Sequence, residues 1–212
     1  MLGTKLKEAF HHLLLTPIIG RPKYGSISTL FEQTCENAAT VDSDLGGGNH
    51  GLTGLMVTPP VYETMSNTPF IAPLNPGPIP NIVNLTDVQA RHATLMHTNA
   101  MTEHRKVQTF INIAHAMIIQ AVPQQYIDNL KQPIVGYRNR SIQEIFLYLY
   151  QLYGRLSPAD AADAIMELHE DVDPTSDPTN LWTKIRKARE TCAACFVPLP
   201  LNQIMAIAYT VY

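Results

Sequence analysis

The chain has 212 residues, of which 45% are hydrophobic and 16% are charged, and its formal net charge is −3. This length suits one large domain or two small ones, and the apolar content argues against disorder throughout. Because few side chains are charged, uncharged polar and apolar groups must cover much of the surface, which favours contact with other proteins. The negative charge argues against a protein whose main task is to neutralise nucleic-acid phosphates.

The sequence also predicts a soluble, cytoplasmic protein. No stretch of it approaches the roughly 20 apolar residues that a membrane span needs. The segment Met1–Gly20 carries His11 and His12 in its apolar run and lacks the small-residue cleavage site of a secretory signal. Three cysteines, an odd number, fit a reducing compartment better than a disulfide framework. We therefore expect no membrane partner.

The N-terminal region predicts two helices, each with one apolar face. The first spans Met1–Leu15 and is interrupted by Pro17. The second begins after Ser26 or Ser28, because either side chain can accept the capping hydrogen bond. The apolar stripes consist of Leu2, Leu6, Phe10 and Leu14 in the first helix, and of Ile27, Leu30, Phe31, Thr34 and Ala38 in the second.

A glycine-rich loop and a proline-rich segment come next. Residues 46–54 hold five of the 11 glycines, a density that excludes a regular helix or strand. Thr58 then caps a brief helix that begins at Pro59. Seven of the 16 prolines lie between Pro59 and Pro80, so residues 68–84 are predicted to form an extended linker.

The longest predicted helix begins at Thr86-Asp87 and is ended by Pro123. Its apolar stripe is narrow in the first half and broad in the second. Either the proline-rich linker or the turn at Pro133–Gly136 joins two domains. We place the boundary at the turn, which gives an N-terminal region 1–136 and a C-terminal domain 137–212.

Short, individually capped helices are predicted in the C-terminal domain. Ser141 and Glu144 form a capping box that opens a helix, and Gly154 ends it. The pairs Ser157-Pro158 and Asp177-Pro178 open two more helices. A last helical pattern reaches the end of the chain without a stop signal, which predicts that the natural protein continues; it consists of Leu201, Ile204, Met205, Ala208 and Val211. The predicted fold class is all-α, with two small helical domains and a Gly/Pro-rich connecting region.

Dispersed motifs are similar to those of one protein family. In the first half they are Leu45-Gly46-Gly47-Gly48-Asn49-His50-Gly51, Leu55 to Val57, Tyr62, Met65-Ser66, Thr68-Pro69-Phe70 and Asn75-Pro76-Gly77. In the second half they are Ile142-Gln143-Glu144-Ile145-Phe146, Leu149, Tyr153-Gly154, Leu156-Ser157-Pro158 and Asp173-Pro174. Over residues 20–212, their order resembles the Gag polyprotein of copia-type LTR retrotransposons from unicellular algae.

This resemblance implies a non-enzymatic capsid protein with all-helical N- and C-terminal domains, which self-associates into virus-like particles that package element RNA. Gag proteins usually add a zinc knuckle, but neither the His nor the third Cys of that motif follows Cys192 and Cys195. RNA contact is therefore expected through a region outside this chain. Two alternatives remain open: a domesticated Gag-derived adaptor that binds a host protein without forming a shell, and a small enzyme that uses the glycine loop and His50.

Three patterns that could carry chemistry have structural interpretations. Residues 46–51 match G-x-G-x-x-G, but no strand precedes them and no binding helix follows, which indicates a turning loop. His50 within it is expected to make a loop-stabilising hydrogen bond. Cys192 and Cys195 fall on an apolar helix stripe, so we interpret them as buried structural thiols. The histidines lack the i, i+4 spacing of a helical zinc site. We therefore expect no catalytic residue, no cofactor, no metal and no small-molecule substrate.

Opposite charges on two successive C-terminal helices indicate a candidate self-association surface. Acidic and basic faces of this kind can meet between copies and orient their assembly. The alternative is a solvated face with pairing between helices of one chain, which contributes little per surface pair. The candidate residues are Trp182, Lys184, Arg186, Lys187, Arg189, Glu167, Glu170 and Asp171.

Overall fold

The structure is a computed structural model that describes residues 2–81, 85–156, 158–169, 178–195, 199–202 and 204–206. Within these ranges the regular elements are helices, and the one β-type pairing is an isolated bridge between Gln132 and Gly136. The prediction of an all-α protein is therefore confirmed. The chain divides into Met1–Tyr153, called unit 1 here, and Gly154–Tyr212, called unit 2.

Unit 1 is built from helices of very different lengths. Their bounds are α1 (Leu2–Glu8), α2 (Tyr24–Ala39), α3 (Pro59–Glu63), α4 (Asp87–Ala121) and α5 (Ile142–Tyr153). Single 3₁₀ turns lie at Leu45–Gly47, Thr53–Leu55, Gln124–Tyr126 and Asp128–Leu130. With 35 residues, α4 is about 52 Å long.

Local capping chemistry sets several of the helix starts. At α5, the Ser141 N–H donates to Glu144 Oε2 at 2.7 Å and the Glu144 N–H donates to Ser141 Oγ at 3.1 Å, which confirms the predicted capping box. At α2, Ser26 is the third helical residue. Its hydroxyl donates to the Lys23 carbonyl and accepts from the Lys23 N–H. The predicted start after Ser26 or Ser28 is therefore wrong, and α2 begins at Tyr24.

The core of unit 1 lies where α2, the second half of α4 and α5 meet. Leu30 of α2, Phe110 of α4 and Leu149 of α5 are all fully buried. The rings of Phe31 and Phe146 are in edge contact, with centroids 5.1 Å apart. Because α5 contributes to this core, the division between the units falls after Tyr153, whereas the sequence-based boundary was placed at residue 136.

The first predicted helix is shorter than expected, since α1 ends at Glu8 and not at Leu15. The chain beyond it is held on α2 by side-chain amides, which satisfy backbone groups that a helix would have paired internally. Asn37 accepts from the His12 N–H and donates to the His12 carbonyl, and Gln33 accepts from the Thr16 N–H. Phe10 remains buried, but Leu14 of the predicted stripe is 71% exposed.

The proline-rich segment belongs to unit 1 and runs beside α4. His104 Nδ1 lies 3.1 Å from the Pro73 carbonyl oxygen, and His97 Nε2 lies 3.0 Å from the Gly77 carbonyl oxygen. The described part, residues 68–81, has no regular structure, as expected for this composition. The apolar stripe of α4 is broad only in its second half, as predicted, because every buried α4 residue lies at or beyond Val107.

Unit 2 contains α6 (Pro158–His169) and α7 (Pro178–Ala194). The two helices pack on each other, and their buried core consists of Ala161, Leu168, Leu181, Ile185, Ala188, Cys192, Cys195, Leu199 and Ile204. Residues 201, 202 and 204–206 are helical, in agreement with part of the last predicted helix. The predicted caps Ser157 and Asp177 lie outside the described residues. No helix in the described ranges is long and apolar enough to span a bilayer.

Candidate functional site

The glycine loop is a packed substructure with internal hydrogen bonds. The Gly46 carbonyl accepts from the Tyr62 hydroxyl at 3.0 Å and from Ser66 Oγ at 2.8 Å, and Tyr62 is almost fully buried. His50 Nε2 lies 2.9 Å from the Met65 carbonyl oxygen, which confirms the predicted loop-stabilising hydrogen bond. The rings of Phe70 and Tyr62 are in edge contact, with centroids 5.5 Å apart. Tyr62, Met65 and Ser66, which belong to first-half motifs of the resemblance, therefore contact the glycine loop.

The glycines in this loop make room for neighbouring parts of the chain. Gly46 has a φ of +59°, and a Cβ there would collide with the Tyr62 hydroxyl. Gly51 has a φ of +52°, and a Cβ there would lie 2.6 Å from the carbonyl oxygen of Ala38 at the end of α2. Helix α3, the helix that follows the loop, has only five residues, in agreement with the prediction that no binding helix follows the glycine pattern. These contacts account for the glycines by packing, which is the interpretation that the sequence favoured over a phosphate loop.

Cys192 of α7 and Cys195, the residue just after the end of α7, lie in the core of unit 2. Cys192 is fully buried and Cys195 nearly so. Burial raises the pKa of both thiols, and each has a neighbour that raises it further: Cys195 beside Cys192, and Asp160 beside Cys195. A reactive or metal-binding cysteine needs a lowered pKa, because the thiolate is the nucleophile and the ligand. This environment matches the predicted structural role.

The candidate self-association residues of α7 lie on two different edges of the helix. Its buried stripe lies at 181, 185, 188 and 192, and the residues between 181 and 190 that are outside this stripe are exposed. Helical spacing places Trp182, Arg186 and Arg189 together on one edge of that stripe, and Lys184 and Lys187 towards the opposite edge. We call the first group the tryptophan–arginine face.

The tryptophan–arginine face adjoins a shallow surface depression. Trp182 of this face is 58% exposed, which is unusual for the largest apolar residue. The depression is lined by Arg186, Arg189, Glu190, Ala193 and Leu199. On α6, Glu167 is exposed as expected. Glu170 and Asp171, the other acidic candidates, lie outside the described residues.

Three potential metal ligands come together in unit 1. His11 and His12, in the segment after α1, lie beside Glu36 of α2, and one ligand atom from each falls within 4.8 Å of the others. His12 Nε2 pairs directly with Glu36 Oε2. Sequence spacing did not indicate this cluster, because Glu36 is 24 residues from His12 and joins it only through the fold.

Comparisons with protein-family models, curated proteins and solved structures give no match to this chain. The resemblance to Gag therefore rests on the motifs of the chain itself. The geometry that bears on function comprises the tryptophan–arginine face and the cluster around Glu36.

Proposed function

We propose that this chain is the capsid-forming region of a retrotransposon Gag polyprotein, a structural protein that self-assembles into virus-like particles around element RNA. The observation that carries the proposal is the tryptophan–arginine face of α7. Tryptophan and arginine are the residues most enriched at the energetic centres of protein interfaces. Trp182 is the only tryptophan of the chain, and the structure leaves it exposed.

Charge distribution supports an interface between unlike surfaces of two copies. Arg186 and Arg189 give α7 a basic edge, and Glu167 gives α6 an exposed carboxylate. An interface that joins different patches of identical chains is heterologous, and such contacts generate rings and larger assemblies instead of closed dimers. Many weak contacts of this kind allow a shell to correct its errors. RNA is assigned to a region outside this chain, since the net charge here is −3.

Assembly can be tested by light scattering and negative-stain microscopy as protein concentration and salt are raised. We expect particles from the unaltered chain and a loss of particles from Trp182→Ala and from the double variant Arg186→Glu/Arg189→Glu. The matched comparison is Lys184→Glu/Lys187→Glu, which changes the net charge equally at the two basic candidates on the opposite edge of α7, outside the tryptophan–arginine face, and should still assemble.

Two results would count against the proposal. Monomers at every concentration and salt would contradict shell formation. If the monomeric chain then bound a host protein and Trp182→Ala abolished that binding, the same face would serve the domesticated-adaptor function instead. Assembly that is abolished by the lysine variant and kept by the arginine variant would show that the interface lies on the other edge of α7.

A further inference from the structure

We propose that His11, His12 and Glu36 form a binding site for a divalent transition-metal ion of the zinc class. The three side chains offer two imidazole nitrogens and one carboxylate oxygen, and these atoms lie within 4.8 Å of one another. Imidazole and carboxylate are established Zn²⁺ ligands, and three protein ligands leave a fourth position for water. The site is independent of the proposed capsid function.

The arrangement is close to a coordination sphere. Ligand atoms bound to one tetrahedral Zn²⁺ at about 2.0–2.2 Å lie about 3.3–3.6 Å apart, so side-chain rotations must bring the widest pair, now within 4.8 Å, closer together and must separate His12 from Glu36. His12 and Glu36 are already paired, and the ring centroids of His11 and His12 are 4.8 Å apart. A metal ion would replace the proton that joins the His12 imidazole to the Glu36 carboxylate.

The backbone that carries the histidines is held in place beside Glu36. Asn37, the next residue on α2, accepts from the His12 N–H at 2.7 Å and donates to the His12 carbonyl at 2.8 Å. The Asn37 side chain is buried. One turn earlier, Gln33 accepts from the Thr16 N–H and donates to the Thr16 hydroxyl, both at 2.8 Å. Because these contacts order the segment in advance, binding loses little conformational entropy.

The donor set selects the class of ion. Two imidazoles favour Zn²⁺, Co²⁺ or Ni²⁺ over Mg²⁺ and Ca²⁺, which prefer sites made of oxygen atoms. Neighbouring Cys35 is not included, because it packs against the core of unit 1. The bound ion would link the segment after α1 to α2, and unit 1 would gain stability with the logarithm of the free ion concentration once that concentration exceeds the Kd.

The test is calorimetric titration of the full chain, free of metal and of any polyhistidine tag, with ZnCl₂, together with Co²⁺ absorption spectra. We expect one ion per chain, a rise in the melting temperature with Zn²⁺, and a tetrahedral Co²⁺ spectrum. His11→Ala, His12→Ala and Glu36→Gln should each weaken binding at least tenfold. Asn37→Ala, a positioning change, should weaken it by about tenfold as outer-shell changes do.

The matched control is His92→Ala, which removes an exposed imidazole from α4 and should leave binding unchanged. Glu36→Gln keeps the size of an exposed side chain and should therefore fold. If a histidine variant fails to fold, the Zn²⁺ affinity of Glu36→Gln tests the proposal. The proposal is overturned if the unaltered chain binds no Zn²⁺, or if Glu36→Gln binds it as tightly as the unaltered chain.

Discussion

At Gly51 the fold depends on the absence of a side chain. Its φ is +52°, and a Cβ would approach the carbonyl oxygens of Ala38, Ala39 and Val41 to 2.6–2.7 Å. The neighbouring Leu52 N–H donates to the Ala38 carbonyl at 2.8 Å, so the loop closes directly on the end of α2. The density of glycines predicted a loop, but this steric requirement comes from a contact between distant segments.

We expect Gly51→Ala to destabilise unit 1 strongly. The left-handed conformation alone costs a residue with a side chain about 1–3 kcal/mol, and the clash with backbone atoms adds to that cost. Gly25→Ala is the matched control, because Gly25 lies in α2 and a Cβ there would have no other part of the chain within 4 Å. It should stabilise the protein by up to about 1 kcal/mol, as alanine does in helices. Chemical denaturation would measure both changes. Equal denaturation midpoints for Gly51→Ala and Gly25→Ala would contradict the steric explanation.

A second residue-scale feature is His115, a buried histidine of α4. Burial lowers its pKa below the usual 6.5, and a hydrogen bond with the Arg140 backbone opposes this only in part. Among the described residues its Nε2 atom has no hydrogen-bond partner. The neutral imidazole is therefore the form that the folded protein accommodates.

Unit 1 should lose stability as the pH falls below 6.5, the usual histidine pKa. In that range the unfolded chain binds a proton at His115 that the folded chain does not, so protonation favours unfolding. Above that pH the residue is neutral in both states and has no effect. The measurement is the denaturation midpoint as a function of pH, compared between the unaltered chain and His115→Gln. The variant should show the shallower acid slope, whereas His92→Gln, at an exposed site, should keep the original slope.

At the scale of elements, the sequence predicts a helix well where its determinants are local. The α5 capping box involves residues three positions apart, and α4 begins at the predicted Thr86-Asp87, where the Gln89 N–H donates to Thr86 Oγ1. Val122, the last residue before Pro123, marks the end of α4 as predicted. These starts and stops could be predicted because each depends on neighbours in the chain.

Elements that depend on distant residues were not predictable in the same way. α1 ends early because Asn37 and Gln33 hold the following segment, and those side chains are 25 and 17 residues from their partners. The proline-rich segment was correctly expected to be irregular, yet its attachment to α4 through His97 and His104 has no signal in composition. The cluster of His11, His12 and Glu36 was missed for the same reason, because helical spacing rules compare only near neighbours.

At the scale of the whole molecule, the assignment of α5 decides where an independent folding unit ends. α5 provides Phe146 against Phe31 and Tyr150 against Tyr24, with ring centroids 5.1 Å and 5.7 Å apart. Ile145 and Leu149 are fully buried in the same core. A chain cut at the predicted boundary of residue 136 would expose all of these partners.

We therefore expect the fragment 1–153 to unfold cooperatively and the fragment 1–136 to lack a cooperative transition. Because the loss of α5 exposes one side of the core, the shorter fragment should keep a helical circular-dichroism signal but bind a hydrophobic dye, as loosely packed states do. Circular dichroism melting and dye fluorescence measure the two properties. A sharp melting transition without dye binding in 1–136 would place the unit boundary at the turn after Pro133 and would show that α5 is dispensable for the core it lines. Because both fragments contain the glycine loop and the cluster around Glu36, the comparison measures the contribution of residues 137–153, which comprise α5 and the short segment before it.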